Sequence, residues 1–246
     1  MEDARIATPA TSIKVGTSGY SYKEWLGVFY PDRMKPADML PFYSDHFTTV
    51  EINNTFYRMP KKEVLEKWAG QVPADFTFVL KASQRITHMK RLRDTSEDVN
   101  YFLTTAAVLG DRLGPVFFQL AESTKKDVPR LVDFLAALPE HRPPVAFEFR
   151  NESWFDDEVY ETLRSHNVSL CISDTDEGTT PFASTASWGY LRLRRSEYTP
   201  SDLRAWHERI ISQAWQDTFL FFKHEDEAKG PRFAVRFMEL LRASPE

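Results

Sequence analysis

The sequence has little of several features that would place a protein in a familiar class. One cysteine occurs in 246 residues, so no intrachain disulfide can form. That residue, Cys171, lies in an apolar segment with no histidine beside it, which favours a small buried side chain over a catalytic thiol. The N-terminus lacks the apolar core of a signal peptide, and no apolar run approaches the roughly 20 residues of a membrane span. We therefore expect a cytoplasmic protein without a membrane partner.

The sequence also lacks the patterns of common ligand sites. Its formal charge is −5, whereas a general nucleic-acid-binding protein usually shows a basic excess, so nucleic acid is a possible but less favoured partner. The histidines show no H-x-H or H-E-x-x-H spacing, which disfavours a tightly held zinc ion. No cofactor is predicted, although a carboxylate-bound Mg²⁺ or Mn²⁺ is left open. The G-x-G-x-x-G of a doubly wound sheet is missing after the first strand-like segment.

Eight strand-length apolar segments alternate with segments of helical periodicity. The eight are 13–20, 48–57, 75–83, 115–120, 144–150, 169–174, 188–195 and 218–225, each rich in aromatic or β-branched residues. The connection after the sixth, rich in Gly, Thr and Ser, is predicted to be a loop. Eight strand–helix units within about 250 residues predict a single (β/α)8 TIM-type barrel, an α/β fold. Residues 1–12 are then a flexible N-terminal tail, and residues 13–246 form the barrel domain.

Charged side chains occur on one face of these strands. In VAFEFR (145–150) the residues Val145, Phe147 and Phe149 share one parity, and Glu148 and Arg150 share the other. Because side chains alternate along a strand, the aromatic face should pack under the helices and the charged face should point into the barrel. The same alternation directs further polar side chains inward from five other strands: Glu51, Asn53, Lys81, Gln119, Arg192, Arg194 and Lys223.

The inward-facing set contains two glutamates and five cations, and all lie toward the C-terminal ends of their strands, where TIM-barrel enzymes have their active sites. An isolated ion in a protein interior costs several kcal/mol, against a total stability of ~5–15 kcal/mol. The charges must therefore pair, contact water or bind a ligand. The cation excess favours a phosphate or carboxylate, which arginine can bind through two parallel hydrogen bonds. A satisfied internal network of arginine–glutamate pairs would produce the same pattern.

These considerations assign roles within a predicted pocket. Arg150, Lys81 and Arg192 would hold the anion. Glu148 beside a cation would stay ionised as a general base, and drier surroundings would raise the pKa of Glu51 toward an acid role. The predicted binding residues are Arg150, Lys81, Arg192, Arg194, Lys223, Asn53, Gln119, Tyr20, Thr17 and Asp174. The last three are rim candidates, and a cap or turn is the commoner role for a residue such as Asp174. No metal ligand is predicted.

Three motifs, VGTSGYSYKEWLGVFYP, TVEINNTFYRMP and FEFRNESW, resemble those of the YecE-like family, the domain of unknown function 72. The resemblance extends from Ile13 to about Leu241 and implies a TIM-type barrel, but no particular activity. The chain departs from the family pattern at Asn151, where members tend to have histidine after EFR. It departs again at Arg194 in YLRLRR and at Lys223 in FFKHE, which indicates a pocket of divergent composition.

The sequence thus favours an enzyme, a hydrolase, lyase or isomerase, that acts on a small anionic, sugar-like substrate through glutamate acid–base chemistry. One alternative is a non-catalytic protein that binds an anionic ligand or single-stranded nucleic acid. Another is a divalent-metal hydrolase or a glycosidase-like enzyme, because paired glutamates also permit glycoside hydrolysis. The oligomeric state is left open.

Overall fold

A computed structural model describes residues 11–224 and 226–243. Within that range, eight parallel strands close into a barrel, in the order β1-β2-β3-β4-β5-β6-β8-β9, with β9 paired back to β1. The strands are β1 Ser12–Ser18, β2 Thr49–Ile52, β3 Thr77–Lys81, β4 Leu113–Gln119, β5 Val145–Glu148, β6 Ser169–Thr175, β8 Gly189–Leu193 and β9 Asp217–Phe222. A two-residue strand, β7 Gly178–Thr179, pairs antiparallel with the end of β6. The TIM-type barrel expected from the sequence is confirmed.

The helices lie outside the barrel and follow the strands in chain order. They are α1 Met39–Ser44, α2 Lys62–Ala69, α3 Ser96–Ala106, α4 Val128–Ala136, α5 Asp157–Ser165, α6 Pro200–Ile211 and α7 Lys229–Ala243. Residues 176–188, all described, form β7 and a loop in place of a helix, as the small polar composition predicted. The start of α6 is fixed by a reciprocal cap, in which the side chains of Thr199 and Asp202 each accept a backbone N–H of the other.

Strand alternation divides the apolar residues into two cores. The larger core lies between the barrel and the helices and includes Phe147 and Phe149. The smaller core is inside the barrel and consists of Val79, Phe117, Ala146, Cys171, Trp188, Tyr190, Phe219 and Phe221. The predicted orientation of VAFEFR is therefore confirmed. Cys171 is buried as a free thiol in the inner core, in agreement with the structural role expected for it.

The limits of the elements differ modestly from those expected. Thr11 Oγ1 donates to the Trp215 carbonyl at 2.8 Å, and β1 begins at Ser12. Residues 11 and 12 of the predicted tail thus contact or belong to the barrel, and its residues 1–10 lie outside the described part of the chain. The second expected strand, 48–57, is shortened because Asn54–Phe56 form a 3-10 turn. None of the helices within the described residues combines the length and apolar character needed to cross a bilayer.

Candidate functional site

A network of charged side chains fills the C-terminal end of the barrel interior, with Arg192 of β8 at its centre. Its Nη1 lies 2.6 Å from Glu148 Oε2 on β5, and its Nη2 lies 2.9 Å from Glu51 Oε1 on β2. All three side chains are almost completely buried. The guanidinium also lies 4.8 Å from the centre of the Phe117 ring beneath it. Two carboxylates from strands on different sides of the barrel thus share one cation.

Glu51 is a fully enclosed carboxylate. In addition to Arg192, it accepts hydrogen bonds from Ser18 Oγ at 2.7 Å, Asn53 Nδ2 at 2.9 Å and the Tyr190 hydroxyl at 2.6 Å. Burial alone would raise its pKa, but the charge of Arg192 and these three donors outweigh burial, and the net pKa is lowered. The expectation that dry surroundings would raise the pKa of Glu51 toward an acid role is therefore wrong.

Glu148 is the second carboxylate of the network and, unlike Glu51, it borders open space. Its Oε1 accepts from Gln119 Nε2 at 2.8 Å and from Arg150 Nε at 3.3 Å, and it lies 3.9 Å from Arg194 Nη1. Burial opposes the charge, but Arg192 and then Arg150 outweigh it and lower the pKa of Glu148 to about 2. Glu148 is therefore ionised at neutral pH, as expected.

Lys81, the last residue of β3, is connected to Glu148 through Gln119. Its Nζ donates to Gln119 Oε1 at 2.9 Å and lies 4.2 Å from the centre of the Phe56 ring. Burial, with the nearby charge of Arg192, lowers the pKa of Lys81 to about 8. Among the described residues, Lys81 forms no ion pair with a carboxylate. It is therefore the cation of the network whose charge changes most readily near neutral pH.

An open cleft of about 550 Å³ lies above Glu148 at this mouth of the barrel. Arg150 and Arg194 line it, with side chains 40% and 24% exposed. Four hydroxyl residues line the β6–β7 side: Ser173, Thr175, Thr179 and Thr180. Three exposed glutamates complete the outer edge: Glu122, Glu152 and Glu177. The expected excess of cations therefore does not extend to the whole pocket, which has arginines near its floor and carboxylates at its rim.

Comparison with known proteins identifies the family. The family model described as "Protein of unknown function DUF72" matches residues 14–246. This chain belongs to the DUF72 family. The UPF0759 protein YunF of Bacillus subtilis (strain 168) is 30% identical over 271 residues, which cover 93% of this chain and 94% of YunF. The UPF0759 protein YecE of Escherichia coli (strain K12) is 35% identical over 130 residues, so that alignment covers 52% of this chain and 44% of YecE.

Solved structures of other DUF72 proteins have the same fold. A DUF72 family protein from Thermotoga maritima MSB8 superposes with a TM-score of 0.81 at 29% identity, covering 94% of this chain and 99% of that one. A DUF72 family protein from Enterococcus faecalis V583 superposes with a TM-score of 0.78 at 20% identity, covering 95% and 97%. The family resemblance inferred from the three motifs is confirmed.

Two of the predicted site residues, Asp174 and Thr17, lie away from the charged network. The buried carboxylate of Asp174 faces the helices, where it accepts from Thr179, from the Tyr198 hydroxyl at 3.0 Å and from Trp206 Nε1, and pairs with Arg195 at 3.0 Å. The hydroxyl of Thr17 contacts the Gly19 carbonyl and the Tyr43 hydroxyl. Both side chains are used in holding the fold, so a binding role for Asp174 and Thr17 is not supported by their positions.

Tyr20 and Lys223 follow β1 and β9 and lie near the mouth of the DUF72 barrel. Tyr20 is half-buried with its ring 6.2 Å from that of Tyr43. Lys223 follows β9, and its backbone N–H donates to the Leu193 carbonyl at 3.1 Å. Their roles in binding stay predictions.

Three neighbours of the charged network were not predicted as site residues from the sequence of this DUF72 protein. Ser18 and Tyr190 both donate to the carboxylate of Glu51. Tyr190 and Arg192 are two residues apart on β8, so the alternation that placed Arg192 inside the barrel also predicts Tyr190 there. His88 stands at the mouth with its ring edge against Phe56, and burial, with the charge of Lys81, lowers its pKa. No sequence spacing points to His88, because its approach to β3 depends on an irregular turn of helix at Arg85–Met89.

Metal binding was left open by the sequence. Within residues 11–224 and 226–243, no group of three or more His, Cys, Asp or Glu side chains converges in a way that could hold a metal ion. The acidic side chains of the network are instead neutralised by Arg192, Arg150 and Arg194.

Proposed function

We propose that this protein is an enzyme acting on a small anionic substrate, whose phosphate or carboxylate group binds between Arg150 and Arg194 above Glu148. The observation that carries this proposal is the convergence of two partly exposed guanidinium groups on one buried carboxylate oxygen at the floor of the 550 Å³ cleft, with N–O distances of 3.3 and 3.9 Å. A cleft of this size suits a small molecule.

Arg150 and Arg194 differ from Arg192 in how exposed their guanidinium groups are and in how many contacts these groups make to the glutamates. A guanidinium carries five N–H donors. Arg192 is buried and clamps both glutamates, whereas Arg150 and Arg194 each make one described contact to Glu148 and keep exposed surface in the cleft. Arg192 therefore serves to fix the site, and the anion is held by Arg150 and Arg194. This division narrows the set of anion-binding cations expected from the sequence.

The rest of the lining supports a polyhydroxylated substrate. Carboxylates accept hydrogen bonds from hydroxyl groups, and hydroxyl side chains can donate or accept. Glu122, Glu152 and Glu177 at the rim, with the threonines of the β6–β7 turn, present both kinds of partner. The acidic rim would repel a second anionic group on the same molecule. A sugar-like molecule with one anionic end fits these requirements.

The protonation states favour some reaction types over others. A glycosidase of the two-carboxylate kind needs one carboxyl to be protonated, and the lowered pKa values of Glu51 and Glu148 oppose this. Glu148 is better suited to stabilise positive charge that develops on the substrate. Lys81, whose pKa is lowered to about 8, has a protonation equilibrium better suited to proton transfer near neutral pH. We therefore favour a lyase or isomerase.

The proposal is tested by titrating the protein with a panel of sugar phosphates and sugar acids, using calorimetry for binding and NMR for turnover. Replacing Arg150 or Arg194 by Gln removes a charged donor worth about 1.5–3 kcal/mol. Affinity should fall about ten- to hundredfold. The control is Arg164→Gln, because Arg164 is exposed on α5 and pairs only with Glu161 among the described acidic residues.

Two results would overturn the proposal. One is binding of a panel anion that survives both cleft substitutions undiminished. The other is the absence of any bound or converted anion in the panel. Binding without turnover across the whole panel would instead support the non-catalytic alternative.

A further inference from the structure

We infer that Lys81 is a nucleophile that forms an imine with the carbonyl carbon of an anionic aldehyde or ketone held by Arg150 and Arg194. This inference deepens the proposed function and rests on it for the position of the substrate. It names the substrate class, a carbonyl compound with one anionic group, and the residue that would bond to it.

The surroundings of Lys81 are unusual for a buried lysine. Lysines are rarely buried unless they are paired with an acid. The Lys81 side chain is buried at the end of β3, yet its described polar partner is the neutral oxygen of Gln119, with the ring of Phe56 beneath the ammonium group. No ion pair of Lys81 with a described acid accounts for its burial. One hydrogen bond to Gln119 and the contact with the Phe56 ring hold the nitrogen in place.

Burial favours the reactive form. It is the largest effect on the amine, the charges of Arg192 and Arg150 act in the same direction, and those of Glu51 and Glu148 oppose it, so that the pKa of Lys81 is lowered to about 8. About a tenth of the molecules then carry a neutral amine at pH 7, and the neutral amine is the nucleophile. An ordinary lysine, with a pKa of about 10.4, would be almost entirely protonated.

The imine step balances without a cofactor. The nitrogen lone pair of the neutral Lys81 amine forms a bond to the carbonyl carbon, and one N–H proton passes from that nitrogen to the carbonyl oxygen to give a neutral carbinolamine. The hydroxyl group then leaves as water after accepting a second proton, and the nitrogen lone pair closes the C=N bond of a protonated imine.

The site can stabilise the cation that this step creates. Gln119 bridges the two residues, because its oxygen accepts from Lys81 while its nitrogen donates to Glu148 at 2.8 Å. The ionised Glu148 supplies negative charge near the protonated imine. Such an imine withdraws electrons from the adjacent carbon, which suits the lyase or isomerase chemistry proposed above.

The test is reductive trapping on the intact protein. Glyoxylate, an anionic aldehyde, is added with cyanoborohydride at pH 7, and modified lysines are located and timed by peptide mass spectrometry. Lys14 is the matched comparison, because it lies at the opposite end of the same barrel, where its Nζ donates to Thr77 Oγ1 at 2.7 Å. Trapping at Lys81 should be at least about tenfold faster than at Lys14, and Lys81→Arg should abolish it.

A neutral aldehyde distinguishes the reactivity of the Lys81 amine from anion binding by Arg150. Formaldehyde reports the reactivity of the amine alone, so it should modify Lys81 faster than Lys14 in the wild type and in Arg150→Gln. In the wild type, the preference for Lys81 over Lys14 should be greater with glyoxylate than with formaldehyde, and Arg150→Gln should remove this difference. If the difference persists in Arg150→Gln, anion binding by Arg150 is wrong, while the role of Lys81 as a nucleophile stands. If Lys81 reacts no faster than Lys14 with either aldehyde, the inference about Lys81 is overturned.

Discussion

Removing the charge of Arg192 should strongly destabilise the protein, because one buried guanidinium forms ion pairs with two buried carboxylates. Its Nη1 and Nη2 lie 2.6 and 2.9 Å from Glu148 and Glu51, and none of the three side chains is more than 2% exposed. The substitution Arg192→Met keeps much of the side-chain volume and removes the charge. Glu51 is then left with three neutral donors, and Glu148 is left with Gln119 and the longer contacts to the mouth arginines.

The magnitude follows from the loss of one partner of a buried ion pair, which costs about 3–5 kcal/mol. This is a large part of a typical total stability of ~5–15 kcal/mol. Breaking the exposed pair of Arg164 and Glu161 by Arg164→Met should cost less than about 1 kcal/mol, since their side chains are 45% and 74% exposed. The two substitutions remove the same chemical group from different surroundings.

The assay is urea unfolding followed by tryptophan fluorescence, which gives the free energy of unfolding. The effect of Glu148→Gln on the free energy of unfolding should also have opposite signs in the wild type and in Arg192→Met. Glu148→Gln should destabilise the wild type but stabilise Arg192→Met, because it then removes a carboxylate that has lost its main counter-charge. A cost for Arg192→Met within about 1 kcal/mol of that for Arg164→Met would refute this reasoning, as would destabilisation by Glu148→Gln in both backgrounds.

Three further predictions concern the same barrel and the same unfolding assay. Because the pKa of Glu148 is lowered to about 2 in the folded state, its stabilisation is present above the unfolded pKa of about 4.3 and is lost as the pH falls toward 2. Glu148→Gln should therefore reduce the loss of stability between neutral pH and pH 2 by about 3 kcal/mol. An unchanged fall in the free energy of unfolding over this pH range would contradict the prediction. Tyr190→Phe removes a 2.6 Å donor to a buried carboxylate and should cost about 1.5–3 kcal/mol, whereas Tyr57→Phe, at an exposed ring, should cost almost nothing. Gly16→Ala places a Cβ 2.2 Å from a carbonyl oxygen of β2 and should cost about 2–3 kcal/mol, against less than about 1 kcal/mol for Gly70→Ala, whose nearest atom would lie at 3.5 Å.

Local periodicity in the sequence was enough to predict the barrel. The two-residue alternation of VAFEFR depends only on neighbouring residues, so it assigned Phe147 to the outer core and Glu148 to the interior before any fold was known. The same reasoning correctly placed Glu51 and Arg192 inside. The absence of a helix after the sixth strand was also local, because it follows from the small polar residues of 176–188.

Alternation did not predict which interior groups would meet. Tyr190 and Glu51 are separated by 139 positions, and Arg192 and Glu51 by 141. Whether such residues reach the same height in the barrel depends on strand register, and no local pattern specifies register across so many residues. The pKa of Glu51 was consequently given the wrong direction, because its donors could not be identified.

The amino-acid sequence alone determined the fold class, the family and the face of each strand that carries charge, since all three depend on local order along the chain. Only the tertiary structure decided that Arg192 is used internally while Arg150 and Arg194 border a cleft, that Asp174 faces the helices, and that Lys81 is buried without a described acid beside it. The reason is physical: burial and pairing of a charge depend on strand register and barrel closure, which bring distant residues within a few ångströms of one another.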